Sequence, residues 1–374
     1  MPSTVSSSKK RLSILGATGS IGKSTLDVVR SKPLDFEVVL LTANSNTTEL
    51  EKLGREFPQA RCVLAGQEQI LAAIGEAGAD ITVNGIAGAA GLAPSLAVLR
   101  ARSALALANK ETVVMAYPLV EELARKQGVP IIPVDSEHSA VFRLLEAHGR
   151  DRAVEIILTA SGGPFRNYSR EQLKKVRPAD ALAHPTWNMG PKITVDSATL
   201  ANKGLEVIEA VRLFKMSPER VTVVIHPQSV VHSLVRMADG AVYAQLSRPD
   251  MRLPIQEALY WPETVSSPFG VLDLAGLSLD FQRPDGERFP MLPLAYEAAR
   301  QGGLYPCAYN GANEEAVASF FRNEIDFLAI PDIVRYVLEQ GPRRGWEGEL
   351  DMESVLETDR QSRETAAVRI GKIK

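Results

Sequence analysis

Three carboxylates have the residue type and spacing to hold a divalent cation. Asp135 and Glu137 lie two residues apart, directly after an apolar strand pattern, and Glu206 lies in a helical pattern further along the chain. Clustered acids repel one another unless a cation balances them, and carboxylate oxygens are the ligands that Mg²⁺ and Mn²⁺ prefer. The histidines show no HExxH or comparable spacing, so the pattern predicts magnesium or manganese rather than zinc.

A predicted helix over Ser197–Phe214 carries the third carboxylate. Asn202 and Glu206 fall on one stripe of this helix, and Lys203 precedes Glu206 by three residues. Side chains at that spacing can reach one neighbourhood. Ser197 is placed to cap the helix N-terminus, where an anion is also favoured. The alternative interpretation is a solvated polar face with an ordinary Lys–Glu pair.

A glycine-rich turn near the N-terminus predicts a dinucleotide site. A strand pattern over Arg11–Ala17 leads into the GxxGxxG segment Gly16–Gly22, and a helical pattern over Ser20–Arg30 and a second strand pattern over Phe36–Ala43 follow. Glycines let the backbone approach a pyrophosphate, and a helix N-terminus offers it unpaired N–H groups. An ordinary tight turn in an α/β domain is the alternative.

The end of the second strand bears on which dinucleotide is bound. NAD-binding domains usually place an acid there to hold the ribose hydroxyls, but the segment Thr42–Asn46 contains none. A carboxylate would repel a 2′-phosphate, so its absence favours NADP. The same segment also lacks a lysine or arginine.

Strand and helix patterns continue to alternate along the first third of the chain, which predicts a doubly wound parallel sheet and a Rossmann-like N-terminal domain. The further strand candidates are Arg61–Ala65, Ile81–Gly85, Ala104–Ala108 and Val129–Val134. Ligands in such sheets lie at the carboxyl ends of the strands. Asn109, Lys110 and Glu111 occupy one such end, although a helix start with a solvated charge pair would look the same.

Two further segments in the middle of the chain could contact a ligand. A buried strand pattern over Val154–Thr159 ends in Ser161–Pro164, whose glycines suit either an anion or a plain turn. The aperiodic segment His184–Pro191 contains Trp187 and Met189. Large apolar side chains in a loop must be covered, either by a ligand beneath a closing lid or by the segment's own domain.

Charge balance and cysteine content exclude several classes of protein. With 42 basic and 45 acidic residues among 374, the formal charge of −3 argues against a nucleic-acid surface built on bulk charge. Two cysteines, Cys62 and Cys307, form no disulfide framework and are typical of a reducing compartment. No apolar run approaches the ~18–20 residues that span a bilayer. We therefore expect a cytoplasmic protein without nucleic-acid or membrane partners.

Changes in pattern divide the chain into four expected regions. They are a cofactor-binding domain over residues 1–135, an α/β catalytic and metal-binding domain with a lid loop over 136–261, a linker over 262–290 rich in Pro, Gly and Ser, and a C-terminal helical bundle over 291–374.

Seven motifs in order resemble the 1-deoxy-D-xylulose 5-phosphate reductoisomerase family of the non-mevalonate isoprenoid pathway. They lie at Gly16–Gly22, Ala108–Glu111, Val134–His138, Ser161–Phe165, His184–Gly190, Val195–Glu206 and His226–His232. The resemblance covers the chain from the first strand to the segment Phe289–Ala316. It implies NADPH- and metal-dependent rearrangement and reduction of the sugar phosphate to 2-C-methyl-D-erythritol 4-phosphate, by an enzyme that is usually a homodimer.

The resemblance also implies residue roles. The implied metal ligands are Asp135, Glu137 and Glu206, and the implied catalytic residues are Lys110, Glu137 and Glu206. The implied NADPH contacts are Thr18, Gly19, Ser20, Ile21, Asn44, Asn46, Asn109, Glu111 and Gly190. The substrate phosphate is implied to contact Ser161, Ser197, Asn202, Lys203 and His184, while the sugar portion contacts Lys110 and Ser136 under Trp187 and Met189.

One departure from the family pattern concerns the 2′-phosphate of NADPH. The loop after the second strand often carries a glycine and a lysine in this family, where this chain has Asn44 and Ser45 and retains Asn46. Two other interpretations remain: a simple NADP-dependent dehydrogenase of a phosphorylated hydroxy-carbonyl compound, and a non-catalytic nucleotide-sensing module. The carboxylate trio argues against the dehydrogenase, and the retained lysines and acids argue against the sensor.

Overall fold

A computed structural model describes residues 9–64, 66–181, 190–269, 272–348 and 350–373. The chain divides into two compact units, each made of separate stretches of sequence. Unit 1 comprises Met1–Asn109, Val120–Asp135 and Asp250–Gly270, and unit 2 comprises Lys110–Leu119, Ser136–Pro249 and Val271–Lys374. The expected division at residues 135, 261 and 290 describes consecutive regions and stays a prediction.

The strands and helices of the described residues are numbered in chain order. The strands are β1 Lys10–Leu15, β2 Phe36–Ala43, β3 Arg61–Leu64, β4 Ile81–Asn84, β5 Ala104–Leu107, β6 Ile131–Pro133, β7 Ala153–Ala160, β8 Val221–Ile225, β9 Val231–Met237 and β10 Val242–Leu246. The helices are α1 Ser20–Ser31, α2 Thr47–Glu56, α3 Gln67–Ala77, α4 Leu92–Arg100, α5 Lys110–Gln127, α6 Ser136–His148, α7 Arg170–Leu173, α8 Pro178–Ala181, α9 Pro191–Thr199, α10 Ala201–Phe214, α11 Arg252–Tyr260, α12 Met291–Gln301, α13 Tyr305–Phe321, α14 Ala329–Leu338, α15 Gly341–Arg344 and α16 Met352–Gly371. None of these helices is long and apolar enough to cross a bilayer.

Unit 1 is built on a six-stranded parallel sheet in the order β3-β2-β1-β4-β5-β6. Nearly every residue of β2 is buried, as expected when helices cover both faces of a parallel sheet. The α11 residues Ile255 and Leu259 join the same core as Leu12 and Ile14 of β1, although α11 lies far along the chain. The predicted Rossmann-like sheet is therefore confirmed.

The glycine-rich turn between β1 and α1 is held by the neighbouring strand. Gly16 has a φ of +78°, which favours glycine, and its N–H donates to Thr42 Oγ1 at 3.1 Å. The N–H of Ala17 donates to the carbonyl of Thr42 at 2.7 Å. A Cβ on Gly22 would lie 2.5 Å from the Ala17 backbone, so α1 starts too close to the turn for any larger residue.

Unit 2 contains a mixed four-stranded sheet in the order β10-β9-β7-β8. Only β7 and β8 run parallel, whereas β9 is antiparallel to β7 and β10 is antiparallel to β9. The strand predicted at Val154–Thr159 is confirmed as β7, whereas β9 and β10 were not predicted. The helices α12, α13, α14, α15 and α16 confirm the predicted C-terminal helical region.

The predicted single helix over Ser197–Phe214 is wrong. Leu200 has a φ of +61° and separates α9 from α10, so the second helix begins at Ala201. Ser197 therefore lies in the last turn of α9 and does not cap α10. Glu137, which follows the end of β6, lies in the first turn of α6.

We predict opposite stability effects for two glycine substitutions in unit 1. Gly22→Ala forces a Cβ into the Ala17 backbone and should lower the unfolding free energy by about 1–3 kcal/mol. Gly75→Ala serves as the control, because Gly75 is an exposed residue of α3 with open space around its Cβ position. That change should raise stability by about 0.5–1 kcal/mol. Urea denaturation measures both, and equal effects would contradict the close packing at Gly22.

Candidate active site

Two carboxylates of unit 2 share one buried ammonium group. Lys203 Nζ on α10 lies 2.7 Å from Glu137 Oε1 on α6 and forms a short contact with Glu206 Oε2 on its own helix. Lys110 Nζ, from the first turn of α5, lies 3.3 Å from Glu206 Oε1 and donates to Asn202 Oδ1 at 2.7 Å. Asn202 in turn donates to Glu206 Oε1 at 2.6 Å. Three helices therefore meet in one charged cluster.

Burial and ion pairing act in opposite directions on the charges of this cluster. Glu206 is 1% exposed and Lys203 is 3% exposed. Burial alone would raise the pKa of Glu137, but the ammonium of Lys203 outweighs it and holds that pKa well below its usual range. Burial would likewise lower the pKa of Lys203, and Glu137 and Glu206 together raise it instead. The alternative of a solvated polar face on this helix is wrong, because both charges lie inside the unit.

The sequence of α10 explains how its charges reach the interior. Asn202, Lys203 and Glu206 fall within one helical turn and share a face. Gly204 lies on the other side, where a Cβ would be 2.7 Å from the Ala295 side chain of α12. The missing side chain lets α10 pack closely on its neighbours, which fixes the direction of the charged face.

A buried histidine ties α6 to α10. His138 donates from Nε2 to the backbone carbonyl of Glu206 at 3.0 Å, and its Nδ1 lies 3.7 Å from Glu209 Oε2. Ser233 of β9 donates to the backbone carbonyl of Glu137 at 3.0 Å. None of these three residues was among the predicted site residues. His138 and Ser233 hold the main chain at Glu206 and Glu137, respectively, rather than the carboxylates of these residues.

The loop after β7 packs directly on the end of α9. Gly163 has a φ of +67°, and a Cβ there would lie 2.6 Å from the carbonyl oxygen of Ser197. Ser161 accepts a hydrogen bond from the Gly163 N–H at 3.2 Å. Asn202 and Lys203 follow in the first turn of α10. The structure thus brings the Ser161 loop, the end of α9 and the start of α10 to one region of unit 2.

A second buried network fixes the start of α9. Lys192 Nζ contacts Glu111 Oε1 at 2.9 Å and Asp196 Oδ2 at 2.8 Å, and Asn313 of α13 donates to Asp196 Oδ1 at 2.8 Å. Burial would raise the pKa of Glu111, but the ammonium of Lys192 lowers it below the usual range. The same carboxylates raise the pKa of Lys192 despite its burial. Of these partners only Glu111 was a predicted site residue; the i, i+4 spacing of Lys192 and Asp196 was the available signal for the pair.

In unit 1, the glycine-rich turn has the features of an anion site. The N-cap of α1 is Gly19, which contributes no side-chain hydrogen bond to the first turn. The N–H groups of Ser20 and Ile21 therefore remain available to an anion at the helix N-terminus, next to Thr18. These described residues fit the pyrophosphate of a dinucleotide.

Asparagines brace the other loops at this edge of the sheet. Asn109 donates to the carbonyls of Ile86 at 2.6 Å and Gly88 at 2.9 Å. Asn84, which was not among the predicted site residues, donates to the carbonyl of Gly91 at 3.0 Å. At the end of β2, the side chain of Asn46 caps α2 by accepting from the N–H of Glu49 at 3.1 Å, and Asn44 is exposed.

The remaining predicted residues lie at the ends of described segments or beyond them. Gly190 is the N-cap of α9. Ser136 opens α6 and donates to Glu137 Oε2 at 2.5 Å. Asp135 is the last residue of its stretch of unit 1 and precedes Ser136 directly. His184, Trp187 and Met189 lie outside the described residues.

Family models match most of the chain. A model described as 1-deoxy-D-xylulose 5-phosphate reductoisomerase matches residues 12–64 and 58–117. Models of the C-terminal domain of the same enzyme match residues 131–214 and 246–365.

Individual relatives match over nearly their whole length. A 1-deoxy-D-xylulose 5-phosphate reductoisomerase from Prosthecochloris aestuarii is 48% identical, with 96% of this chain and 99% of that protein covered. A crystal structure of DOX-P reductoisomerase in complex with NADPH, fosmidomycin and magnesium has a TM-score of 0.92 at 37% identity, covering 97% of this chain and 99% of that one. The enzyme from Zymomonas mobilis in complex with NADPH has a TM-score of 0.87 at 38% identity, with the same coverage.

We predict that Lys192→Met destabilises the protein in a pH-dependent way. Removing the ammonium takes from the buried carboxylates Glu111 and Asp196 the cation that they share, which should cost about 3 kcal/mol at pH 7. In the wild type, the lowered pKa of Glu111 means that its stabilising charge is lost only as pH falls below the usual carboxylate range. In the variant, burial raises the pKa of Glu111, so the deficit should shrink between pH 7 and pH 5.

Urea denaturation at both pH values measures this deficit. Arg300→Met is the control, because Arg300 is half exposed and pairs with exposed Glu219 and Glu297. That change should cost less than about 1 kcal/mol at either pH. A deficit for Lys192→Met that stays constant or grows on acidification would contradict the assigned network.

Proposed function

This chain belongs to the 1-deoxy-D-xylulose 5-phosphate reductoisomerase family, and we propose that the charged cluster of Lys110, Glu137, Lys203 and Glu206 is its catalytic centre. The protein is an NADPH- and divalent-metal-dependent oxidoreductase and isomerase that converts 1-deoxy-D-xylulose 5-phosphate to 2-C-methyl-D-erythritol 4-phosphate. The observation that supports the placement is the buried pair of carboxylates sharing one ammonium. A nucleotide-sensing module has no need of such a cluster.

Asp135, Glu137 and Glu206 are the proposed metal ligands. Glu137 and Glu206 are hard oxygen donors held close together by Lys203, which fits Mg²⁺ or Mn²⁺. Asp135 is included as a ligand because it lies two residues before Glu137 in the sequence. When bound, the metal supplies Lewis-acid polarisation of a carbonyl and an adjacent hydroxyl for the rearrangement of the carbon skeleton.

The substrate phosphate is proposed to lie beside Ser161, Ser197, Asn202 and Lys203, with His184 added from the preceding segment. Support comes from the tight packing of Gly163 against Ser197, which brings two of the serine-bearing backbones together. The start of α10 adds backbone N–H groups and the positive end of a helix dipole.

The sugar portion is proposed to contact Lys110 and Ser136, with Trp187 and Met189 covering it. The ammonium of Lys110 already lies among the oxygens of Asn202 and Glu206. In that position it would stabilise negative charge on a neighbouring substrate oxygen. Ser136 opens α6, one residue before Glu137, and can orient a hydroxyl at the same place.

NADPH is proposed to bind through Thr18, Gly19, Ser20, Ile21, Asn44, Asn46, Asn109, Glu111 and Gly190. The uncapped start of α1 supports the pyrophosphate placement. At the 2′-phosphate, the absence of any acid in Thr42–Asn46 supports NADPH over NADH. The exposed side chain of Asn44 can contribute hydrogen bonds there, without a local cation.

Each region of the chain is proposed to have its own role. Residues 1–135 bind the cofactor, and residues 136–261 carry the metal site and the lid. Residues 262–290 link this region to residues 291–374, which support the catalytic helices. The protein is proposed to be cytoplasmic, which its two unpaired cysteines support.

A simple dehydrogenase of another phosphorylated hydroxy-carbonyl compound is not favoured, because the relatives that cover this chain share the reductoisomerase identity.

A homodimer is proposed through the edge of the unit 2 sheet. β10 ends the strand order, and Val242 and Tyr243 on it are 42% and 37% exposed. An apolar stretch also lies exposed in unit 2, with Leu274 and Phe281 at 62% and 45%. An exposed edge strand pairs readily with another strand, and a second copy related by two-fold symmetry presents the same edge.

We predict metal-dependent oxidation of NADPH in the presence of 1-deoxy-D-xylulose 5-phosphate, followed by absorbance. Chelator should abolish the reaction, and NADH should support it poorly. Glu206→Gln should lower turnover by at least about 10³-fold, because it removes a metal ligand, while the Kd for NADPH stays nearly unchanged. Glu219→Gln, at an exposed position after α10, is the control and should keep full activity. Metal-independent turnover, or loss of NADPH binding with Glu206→Gln, would contradict the site.

We predict that Val242→Lys disrupts the dimer. The charge would lie on the pairing edge, where lysine opposes strand addition. Light scattering after size exclusion gives the mass against a protomer of 40.6 kDa. Val368→Lys is the control, since Val368 is 57% exposed on α16 and outside the proposed interface. A monomeric wild type, or a Val242→Lys variant that stays dimeric, would refute this interface.

A further inference from the structure

The first turns of α5 form a separate helical segment. Ala116 has φ −144° and ψ 22°, outside the helical region, and Pro118 follows two residues later. In an unbroken helix the carbonyl of Val114 would accept from the N–H of residue 118, which proline lacks. The break therefore leaves backbone carbonyls of the segment Lys110–Met115 in need of donors.

Arg212 of α10 supplies those donors. Its Nη1 donates to the carbonyl of Val114 at 2.7 Å and to that of Val113 at 3.0 Å, and its Nη2 donates to Gly303 at 3.2 Å. The two valines are buried, at 1% and 0% exposure. Burial lowers the pKa of Arg212 to about 10, so the guanidinium stays charged at neutral pH.

The guanidinium is directed entirely to main-chain oxygens. Among the described residues, Arg212 forms no ion pair with a carboxylate. Its three acceptors come from two elements, the broken start of α5 and the residue Gly303 before α13. A charged donor on a carbonyl forms a stronger hydrogen bond than a neutral one. Arg212 thus ties the first segment of α5 to the last turn of α10.

This contact matters for Lys110, which opens the same segment. Lys110 lies one helical turn before Val113 and Val114, and its ammonium reaches Glu206 and Asn202 of α10. In the proposed function Glu206 binds a metal and Lys110 contacts substrate. The direct contact between Lys110 and Glu206 must therefore change when metal and substrate bind. The contacts of Arg212 involve only backbone carbonyls and do not depend on whether metal or substrate is bound.

We infer that Arg212 is a positioning residue for Lys110, acting by satisfying the carbonyls freed by the break in α5. The inference rests on the proposed function, in which Lys110 contacts the reacting portion of the substrate. Small displacements of such a group are costly, since a shift of about 1 Å can lower the rate about 10²-fold.

The test compares three variants of the full chain. Arg212→Met removes the donors and keeps much of the apolar bulk, and Arg212→Lys keeps the charge with a single ammonium. Arg220→Met is the matched control, because Arg220 also donates to two consecutive carbonyls, those of Ala153 and Val154, away from Lys110. Turnover, the Kd for NADPH and backbone hydrogen exchange over residues 110–116 are measured for each.

We expect Arg212→Met to lower kcat by about 10–100-fold with an NADPH Kd near the wild-type value. Exchange over residues 110–116 should quicken, because the segment loses its tie to α10. Arg212→Lys should fall between this variant and the wild type in both readouts. Arg220→Met should change neither, even where it lowers thermal stability.

Wild-type turnover with Arg212→Met, or equal losses with Arg220→Met, would overturn the inference. Should Arg212→Met fail to fold, Arg212→Lys decides: unchanged kcat and unchanged exchange over 110–116 refute the positioning role. A wild-type protein without metal-dependent NADPH oxidation would instead refute the proposed function itself, so the two failures are distinguishable.

Discussion

The contact of Lys203 with both Glu137 and Glu206 is the interaction on which the rest of unit 2 depends. Two carboxylates cannot be buried side by side without a cation, because removing each from water costs several kcal/mol. The ammonium of Lys203 offsets this desolvation cost only if the backbones of α6 and α10 are held at a fixed separation. The hydrogen bond from His138 to the Glu206 carbonyl provides that separation, and it joins the same two helices.

Close helix packing serves the same requirement. Gly204 lets α10 approach α12, and the short residue is needed because a Cβ would collide with Ala295. The buried ion pairs add little net stability compared with apolar residues of similar size. Under the proposed function, their position in the interior serves chemistry rather than folding, since carboxylates and ammonium groups that act on a charged substrate must be held in place beforehand.

Sequence patterns predicted what depends on local order, and they missed what depends on contacts between distant residues. The strands of unit 1 and the glycine-rich turn follow from apolar runs and glycine spacing. The break at Leu200 was missed because a leucine in the left-handed region is unfavourable on its own and is imposed by packing. The contact of Asn313 with Asp196 joins positions 117 residues apart, a pairing that no periodicity encodes. Among the candidate site residues, Glu137, Asn202, Lys203 and Glu206 do meet, yet their burial was not predictable.

Several of the functional candidates lie at helix starts, and one of these starts is created by the break at Leu200. α5 opens at Lys110, α6 at Ser136 and α10 at Ala201. The contacts of Lys110 with Asn202 and of Lys203 with Glu137 bring these first turns together. Each start contributes the partial positive charge of a helix N-terminus. A continuous helix through Leu200 would have placed Asn202 and Lys203 in mid-helix, away from the positive end of a helix dipole. The left-handed residue thus creates a third positive helix end in the cluster, and anionic groups are favoured there by backbone as well as by lysine.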